Sequence, residues 1–332
     1  MFAPLGPNAT FRPLFCSVDG GGKDLCENFV SSSPINRNAM HKAGFVNIIG
    51  NPNVGKSTLM NALVGEKLSI ITSKAQTTRH RIMGIVNGED FQIVYSDTPG
   101  ILSASYMLQE SMMKFVQGAL RDADVILYVT DTVESGDTAS SQILERIAGS
   151  GVPVIAVINK IDLTTPERLE ELVELWKSKL PRAEVVPVSA KENFNIAGLF
   201  DLIIKELPEG EPYYPKDTLT DRTMRFFASE IIREQILLNY SKEIPYSVEI
   251  EIEEYREEPA IDRIRAVIYV ARESQKGILI GHKGAMLKKV GTAAREEMER
   301  FLGKKVFLEL VVKVSDNWRN DSRQLRRFGY EE

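Results

Sequence analysis

One segment near the start of the chain constrains the fold more than any other. Residues Gly50–Ser57 read G-N-P-N-V-G-K-S and fit the pattern G-x-x-x-x-G-K-[ST]. The segment follows the apolar, strand-like run Gly44–Gly50 and opens an amphipathic stretch at 56–65. A glycine-rich turn between a buried strand and a helix directs backbone amides inward, where they can hold phosphate groups. We therefore predict a phosphate-binding loop. A tight strand-to-helix turn without a ligand is the alternative.

Strand-like and helical stretches alternate up to residue 207. The strand-like runs are rich in Val and Ile, as buried parallel strands are, and Thr165-Pro166-Glu167 is typical of a helix start. The predicted strands are 44–50, 82–86, 91–96, 125–130, 154–158 and 185–188, and the predicted helices are 56–65, 105–121, 138–149, 166–179 and 196–207. This order predicts an α/β domain with a doubly wound, mostly parallel sheet and a ligand at the carboxyl ends of its strands.

Two motifs supply the groups that a nucleoside triphosphate and its Mg²⁺ would need. Lys56 is expected to reach the β- and γ-phosphates, and Ser57 offers a hydroxyl to Mg²⁺. The motif D-T-P-G at 97–100 ends the third predicted strand, where Asp97 can hold Mg²⁺ and the Gly100 amide can sense the γ-phosphate. The predicted binding residues here are Gly50, Asn51, Pro52, Asn53, Val54, Gly55, Lys56, Ser57, Thr58, Asp97, Thr98, Pro99 and Gly100.

The base is predicted to be guanine. Asn159-Lys160-Ile161-Asp162 ends another predicted strand and fits N-K-x-D. The Asp162 carboxylate can accept two hydrogen bonds from guanine, and adenine has no such pair of donors, so ATP would leave that carboxylate unpaired. The stem of Lys160 can cover the base, and a backbone amide of Ser189-Ala190-Lys191 can donate to guanine O6.

A threonine between these motifs is expected to close over Mg²⁺ and the γ-phosphate. The segment Lys74–Arg81 contains Thr77 and Thr78, and we favour Thr78, although spacing alone does not choose between them. Lys56, Thr78 and Gly100 form the predicted catalytic set. Arg79 and Arg81 are candidate arginine fingers, but most loop arginines are simply solvated. Ile101 follows Gly100 where a water-positioning glutamine could stand, and isoleucine cannot orient water.

Composition excludes several other chemistries. Cys16 and Cys26 are the two cysteines, and both precede residue 40. A catalytic cysteine, a zinc ribbon or a disulfide framework is therefore excluded for the rest of the chain. His41, His80 and His282 lie far apart, which argues against a histidine metal cluster.

Segments rich in proline and glycine mark the domain limits. Residues 1–40 show no helical or strand periodicity, and we expect either a disordered tail or an extension that precedes a natural start at Met40. The nucleotide-binding domain is predicted at 41–207, a linker with three prolines at 208–217 and a second domain at 218–330.

The second domain is predicted to be α+β. Thr223–Tyr240 and Ala285–Leu302 are predicted helices, and Arg263–Val270 and Val306–Val314 are predicted strands. Ser247–Glu253 alternates apolar and acidic residues, which predicts a half-buried strand whose acidic face, Glu249, Glu251 and Glu253, is solvated.

A glycine loop in this domain points to RNA. The sequence Gly281-His282-Lys283-Gly284 fits G-x-x-G, follows the apolar run Ile278–Ile280 and precedes a helix carrying Lys288 and Lys289. This arrangement resembles a type II KH domain, whose glycine loop clamps a nucleic-acid backbone. A plain helix-start turn is the alternative. The candidate RNA-binding residues are Lys276, Gly277, Ile280, Gly281, His282, Lys283, Gly284, Lys288 and Lys289.

Charge is distributed unevenly. The chain carries a net charge of -5, but residues 275–332 hold 13 Lys or Arg and 8 Asp or Glu, a net charge of +5. Arg319, Arg323, Arg326 and Arg327 lie beside Trp318 and Phe328, a combination that suits single-stranded RNA; a helix end with solvated charges is the alternative.

The phosphate loop, the block Lys74–Arg81 and D-T-P-G together resemble the Era family of bacterial ribosome-assembly GTPases over about residues 41–330. The resemblance implies slow GTP hydrolysis with Mg²⁺, with K⁺ held by Asn53 as a further possibility. It also implies a KH domain that binds small-subunit ribosomal RNA during assembly of the small ribosomal subunit, in the cytoplasm, with peripheral association at the inner membrane surface as a family property. No DNA partner is expected. Era proteins often carry basic residues after D-T-P-G, and Ile101–Tyr106 has none.

Two other function classes stay open on the sequence. The chain could be a GTPase switch that acts on protein or membrane partners without binding RNA. It could also be a P-loop ATPase or kinase, which would show no preference for GTP.

Overall fold

Two β-sheets organise the chain in a computed structural model, which describes residues 40–132 and 138–331, with backbone alone at 138–140. The expectation for the segment before Met40 lies outside the described residues. In the described ranges, no helix is long and apolar enough to cross a membrane.

The first sheet has six strands in the order β2-β3-β1-β4-β5-β6, and only β2 and β3 pair antiparallel. The mostly parallel, doubly wound sheet predicted from the sequence is confirmed. Its strands are β1 (Lys42–Gly50), β2 (Ile82–Asn87), β3 (Phe91–Asp97), β4 (Val125–Asp131), β5 (Val154–Asn159) and β6 (Glu184–Pro187). Its helices are α1 (Lys56–Val64), α2 (Met107–Arg121), α3 (Thr138–Ala148), α4 (Pro166–Lys179) and α5 (Ile196–Glu206).

The central strand β4 shows why these runs are apolar throughout. All seven of its residues are buried. Leu127 and Val129 join an apolar cluster with α1 and α5, whereas Ile126 and Tyr128 join one with α2, α3 and α4. Because side chains alternate between the two faces of a strand, a sheet covered by helices on both faces needs apolar residues at every position.

The segment after α5 runs along the first sheet. The amide of Ala43 donates to Pro208 O at 3.1 Å, Tyr214 N donates to Gln92 Oε1 at 3.0 Å, and Ile85 N donates to Leu219 O at 2.8 Å. The segment 208–219 is therefore bonded in turn to β1, β3 and β2 of this sheet.

The second sheet has three strands in the order β7-β8-β9, with β7 antiparallel and β9 parallel to β8. Helices α6 and α9 pack against it around one apolar cluster. The elements are α6 (Met224–Asn239), α7 (Ile244–Ser247), β7 (Val248–Glu257), β8 (Ile261–Val270), α8 (Glu273–Ile280), α9 (Ala285–Leu302), β9 (Lys305–Val314) and α10 (Ser322–Arg327). Sequence reasoning found the long elements and missed α8, which is only eight residues long and contains Gly277.

Two expectations for this part of the chain were wrong. Glu249 is not solvated: it is 6% exposed, and its carboxylate accepts hydrogen bonds from Arg79 and from the Tyr330 hydroxyl. Nor is Trp318 a free platform for RNA bases. It is fully buried with Leu325 and Tyr330 against Leu108 of α2, because the C-terminal residues fold back onto the first domain.

Of the four arginines near the C-terminus, two bind other parts of the protein. Arg319 stacks over Tyr106 with its guanidinium carbon 4.9 Å from the ring centre, and Arg327 binds Glu251 through two hydrogen bonds. Arg323 and Arg326 are exposed. Arg319 and Arg327 therefore act within the protein, through Tyr106 just before α2, Glu251 of β7 and Tyr269 of β8.

Candidate functional site

The loop between β1 and α1 accepts only glycine at two places. A Cβ at Gly50 would lie 2.1 Å from Val129 O, and one at Gly55 would lie 2.3 Å from Asn159 Nδ2. Gly55 also has a φ of 95°, in the left-handed region that favours glycine. The loop can therefore lie close to β4 and to the end of β5 only because neither residue has a side chain.

Lys56 is held inside this loop. It is 6% exposed, and its ammonium donates to Gly50 O at 3.0 Å and to Asn51 O at 2.7 Å. A buried positive charge at the N-terminus of α1 attracts phosphate strongly, because little water screens it. The loop is thus built for a polyphosphate.

Three oxygen atoms from three separate segments meet next to Lys56. Ser57 Oγ lies 2.8 Å from Thr78 Oγ1 and 2.7 Å from Asp97 Oδ2, and Thr78 Oγ1 lies 3.0 Å from Asp97 Oδ2. The other carboxylate oxygen of Asp97 is buried without a hydrogen-bond partner. Hydroxyl and carboxylate oxygens are the ligands that Mg²⁺ prefers, often through water, so the residues present fit this ion.

The charge on Asp97 is costly without such an ion. Burial raises the pKa of its carboxyl, and the hydroxyls of Ser57 and Thr78 and the charge of Lys56 only partly oppose the rise. A divalent cation would favour the charged form.

The choice between Thr77 and Thr78 has a structural answer. Thr78 contacts Ser57 and Asp97, whereas the Thr77 hydroxyl pairs with Thr72 Oγ1 at 2.7 Å and donates to Lys74 O at 2.6 Å. Thr78 is the threonine that the fold brings to the predicted magnesium site.

The loop after β3 approaches the phosphate loop closely. A Cβ at Gly100 would come 2.8 Å from Pro52, and the amide of Ile101 donates to Gly50 O at 3.1 Å. The side chain of Ile101 is 3% exposed and packs in the apolar cluster under α2, α3 and α4. It therefore offers no group to an attacking water.

Asn159 of the N-K-x-D motif contacts two other motifs, the phosphate loop and Ser189-Ala190-Lys191. Its side chain donates to Val54 O at 2.9 Å and accepts from the Ala190 amide at 3.0 Å. One backbone amide of Ser189-Ala190-Lys191 was expected to donate to guanine O6. In this structure the amide of Ala190 donates to Asn159 and that of Ser189 donates to Phe194 O.

The groups that the sequence predicts to bind the base, Lys160 and Asp162, follow Asn159 at the end of β5. Asp162 is exposed, and one of its carboxylate oxygens accepts from Ser189 Oγ at 2.6 Å. Lys160 adopts a left-handed backbone with φ of 62°, and its ammonium donates to Asp131 Oδ2 at 2.6 Å and to Asn53 O at 2.5 Å. The stem of Lys160 is thereby fixed between the base motif and the phosphate loop.

Sequence reasoning missed Asp131. It ends β4 and holds Lys160. An acidic residue at the carboxyl end of a strand next to β1 was the available signal, because ligands bind at that edge of such sheets.

The candidate arginine fingers point elsewhere. Arg79 is 1% exposed and donates to Val248 O at 2.7 Å and to Pro245 O at 3.1 Å. Arg81 forms two hydrogen bonds with Asp122 and one with Ser96. Because these partners lie away from Lys56 and Ser57, neither arginine serves the phosphate site in this structure.

The G-x-x-G sequence forms the turn between α8 and α9. Gly281, Lys283 and Gly284 have φ values of 72°, 50° and 78°, and a Cβ at Gly281 would lie 2.8 Å from Met286. The side chains of His282 and Lys283 are exposed in the turn. Lys288 and Lys289 are exposed on the first turns of α9, whereas Lys276, Ile280, Gly281 and Gly284 are half-buried and Gly277 is exposed. The turn presents backbone and positive charge to solvent.

Comparison with known proteins agrees with both halves of this description. Residues 45–160 match the 50S ribosome-binding GTPase family, and residues 243–319 match the KH domain family. GTPase Era of Syntrophus aciditrophicus is 47% identical over 88% of the chain and 96% of its own length. GTPase Era of Geobacter metallireducens is 45% identical over 87% of the chain and 98% of its own length.

Two solved structures share the whole fold. One is Era in complex with MgGDPNP and nucleotides 1506–1542 of 16S ribosomal RNA, and the other is a single-residue variant of Aquifex aeolicus Era bound to GDP·AlF4⁻. Each has a TM-score of 0.84 and 42% identity, and the match covers 88% of this chain and 100% of theirs. With a GTPase domain and a KH domain matched in order and nearly the full length of its relatives covered, the chain belongs to the Era family of GTPases.

Proposed function

We propose that this GTPase is a switch that binds small-subunit ribosomal RNA through its KH domain and assists assembly of the small ribosomal subunit. The observation that carries the proposal is the likeness, with a TM-score of 0.84, to an Era protein whose structure holds MgGDPNP and a 16S ribosomal RNA fragment. The exposed, basic turn at Gly281–Gly284 supports it, because backbone glycines and lysines suit a nucleic-acid backbone.

In the proposed site, each group has one task. Lys56 and the amides of Gly50–Ser57 hold the phosphates, and Ser57, Thr78 and Asp97 hold Mg²⁺, which would neutralise charge on the phosphates. The Gly100 amide faces the γ-phosphate. Asp162 reads the guanine, and Lys160 covers it. The remaining predicted contacts are Thr58, Thr98, Pro99, Asn159, Ser189, Ala190 and Lys191.

Hydrolysis should be slow without help. The buried Ile101 cannot position water, so backbone groups, Thr78 or a partner would have to do so. Asn53, exposed in the phosphate loop with φ of 65°, is our candidate for a K⁺ ligand. We expect faster hydrolysis in KCl than in NaCl, and no difference after Asn53→Ala. Equal rates of the unaltered protein in the two salts would remove K⁺ from the proposal.

The RNA surface is tested by binding. A labelled RNA with the 3′ end of 16S ribosomal RNA should bind more tightly with GDPNP than with GDP. Changing Lys283 and Lys288 together to Ala should weaken binding about tenfold and lower its salt dependence. Lys177→Ala/Lys179→Ala on α4 is the matched control, because both lysines are exposed far from the turn in sequence. RNA binding that survives the first pair unchanged, or falls equally with the control, would favour a protein or membrane partner.

Two further assignments complete the proposal. We place the GTPase domain at 41–207, a linker at 208–217 and the KH domain at 218–330, supported by the end of α5 at Glu206 and the start of α6 at Met224. We also place the protein in the cytoplasm, with peripheral membrane association to be tested by flotation with anionic vesicles.

A further inference from the structure

The loop that carries Thr78 is held by the KH domain at three successive points. Lys74 Nζ donates to the carbonyls of Leu237 and Tyr240 at the end of α6. Carbonyls at a helix C-terminus carry partial negative charge, so they suit an ammonium. The backbone of Gln76 and Thr77 is bound by Arg233, and Arg79 reaches into the start of β7. Thr78 lies between the second and third points.

Arg233 makes the contact nearest to Thr78. It lies on α6, is 1% exposed, and donates through Nη2 to Thr77 O and through Nη1 to Gln76 O at 3.4 Å. Its other hydrogen bonds go to Glu230, from Nε at 2.7 Å and from Nη2 at 2.5 Å. The guanidinium thus joins a buried carboxylate on its own helix to two consecutive carbonyls of the loop.

This geometry fixes the loop rather than merely touching it. Gln76 has a left-handed backbone with φ of 57°, which most side chains adopt only when their surroundings hold them there. Glu230 is 6% exposed and packs beside Arg233, so the guanidinium has little freedom to swing away. A planar fork held at one edge by a carboxylate is a rigid donor for the carbonyls at its other edge.

We propose that Arg233 is a positioning residue for GTP hydrolysis: a side chain of the KH domain holds the backbone next to Thr78, so that the Thr78 hydroxyl stays at Ser57 and Asp97. The inference rests on the role proposed for Thr78. Its consequence is that the RNA-binding half of the protein supplies part of the geometry of the GTPase site.

Two variants of Arg233 distinguish an effect on the position of the Thr78 loop from an effect on the stability of the fold. Arg233→Lys keeps a positive charge beside Glu230, but its single nitrogen has three donors and no planar fork, so it cannot reproduce the four hydrogen bonds that Arg233 makes to Glu230, Gln76 O and Thr77 O. The double variant Glu230→Met/Arg233→Met replaces the buried pair by apolar side chains of similar size, which is often neutral for stability. Both remove the hold on Gln76 and Thr77.

The readout is the single-turnover rate of hydrolysis at saturating GTP and Mg²⁺, together with the affinity for GDP. We expect the rate to fall about tenfold in both variants, because small misplacement of a catalytic group is costly. The affinity for GDP should stay within twofold, since GDP lacks the γ-phosphate over which the Thr78 loop closes. A purely structural role would change both quantities together.

Lys67→Met is the matched control. Lys67 joins the two domains through Glu234, the residue after Arg233, and through Glu297, but it does not contact Gln76 or Thr77. It should leave the rate within twofold. Three results would overturn the proposal: rates within twofold of the unaltered protein in folded Arg233 variants, an equal fall in Lys67→Met, or loss of GDP binding in both Arg233 variants.

Thr78→Val, measured in parallel, distinguishes the role proposed for Thr78 in hydrolysis from the positioning role proposed for Arg233. If it leaves the rate unchanged, the role proposed for Thr78 fails and the inference fails with it. If it lowers the rate while the Arg233 variants do not, only the inference fails.

Discussion

Thr78 and Arg79 are neighbours in the chain, yet their side chains enter opposite kinds of environment. Thr78 faces the buried carboxylate of Asp97, one oxygen of which has no hydrogen-bond partner. Arg79 enters a closed cluster in which Glu249 is bound by Arg79 and Tyr330. The first environment leaves a carboxylate oxygen that a ligand could bind. The second pairs its carboxylate within the protein, although Nε of Arg79 has no hydrogen-bond partner.

The difference shows how a loop that responds to a ligand can be held by a stable domain. Unpaired charge in a nucleotide site costs stability until the ligand arrives. Paired charge at the domain boundary costs little while both partners are present and a great deal if one is removed. One peptide bond therefore separates a responsive site from a fixed anchor, the cluster of Arg79, Glu249 and Tyr330. The variants below test this contrast.

The largest effect is expected at the base-recognition aspartate. Asp162→Asn should lower the preference for GTP over XTP by on the order of 10⁴-fold, because a site built to hydrogen-bond a substrate rejects one that leaves its polar groups unpaired. Asparagine can donate to the xanthine carbonyl that replaces the amine of guanine. Competition between labelled GTP and XTP measures the change. A variant that still prefers GTP would remove Asp162 from base recognition.

The next largest effect is expected at the anchor. Arg79→Met leaves Glu249 buried without its cation and should lower the free energy of unfolding by about 3–5 kcal/mol. Burial already raises the pKa of Glu249, opposed mainly by Arg79 and by the Tyr330 hydroxyl. The loss should therefore grow as pH rises through the pKa of the variant's Glu249.

Urea denaturation of a double-mutant cycle checks this prediction. Adding Glu249→Gln to Arg79→Met should restore part of the loss, because the uncompensated charge is then gone. Equal losses in the single and the double variant would mean that packing, and not charge, makes Arg79 important.

The sequence reveals these two environments unequally. Short motifs at strand ends indicate the nucleotide site in the sequence. A parallel sheet brings the carboxyl ends of β1, β3 and β5 to one edge, so these motifs must lie close together. Lys56, Asp97 and Asp162 could thus be named in advance. Only the choice between Thr77 and Thr78 and the part played by Asp131 needed the structure.

The anchor could not be predicted from the sequence. Arg79 and Glu249 are 170 residues apart, and nothing local marks them as partners. The alternation of apolar and acidic residues in β7 correctly predicts a strand, but it does not say what covers the acidic face. Tyr330, near the end of the chain, and the loop at Arg79 cover Glu249, so a pattern typical of a solvated face hides one buried charge.

A smaller effect, dependent on pH, is expected at His80. Its ring is buried and stacks on Tyr330 with 4.2 Å between ring centres. Burial lowers the pKa of His80 well below 6.5, and the charges of Arg222, Arg233 and Arg79 lower it further. As pH falls below about 6.5, His80 becomes protonated in the unfolded chain but stays neutral in the folded protein. The free energy of unfolding should therefore fall by up to about 1.4 kcal/mol per pH unit.

His80→Phe keeps the aromatic stack and removes this titration. The stability of the unaltered protein relative to the variant should therefore decrease from pH 7 to pH 5, measured by urea denaturation. The raised pKa of Glu249 acts in the opposite direction, but it is present in both proteins and cancels in the difference. A relative stability that rises toward pH 5 would show that His80 is charged in the fold.

The smallest effect is expected at an exposed ion pair. Comparing it with the Arg79–Glu249 pair shows how much of the stability loss at the anchor comes from burial. Arg168 Nη1 lies 2.7 Å from Glu171 Oε2, closer than the 3.2 Å between Arg79 Nη1 and Glu249 Oε2. Yet the side chains of Arg168 and Glu171 are 55% and 66% exposed, against 1% and 8% for Arg79 and Glu249. Water screens the exposed pair, and Glu171→Gln should change the free energy of unfolding by less than about 0.5 kcal/mol. If removing either partner costs the same at both pairs, burial does not set their contribution and the contrast between anchor and surface disappears. If the exposed pair is silent while Arg79→Met is severe, desolvation is the quantity that separates them.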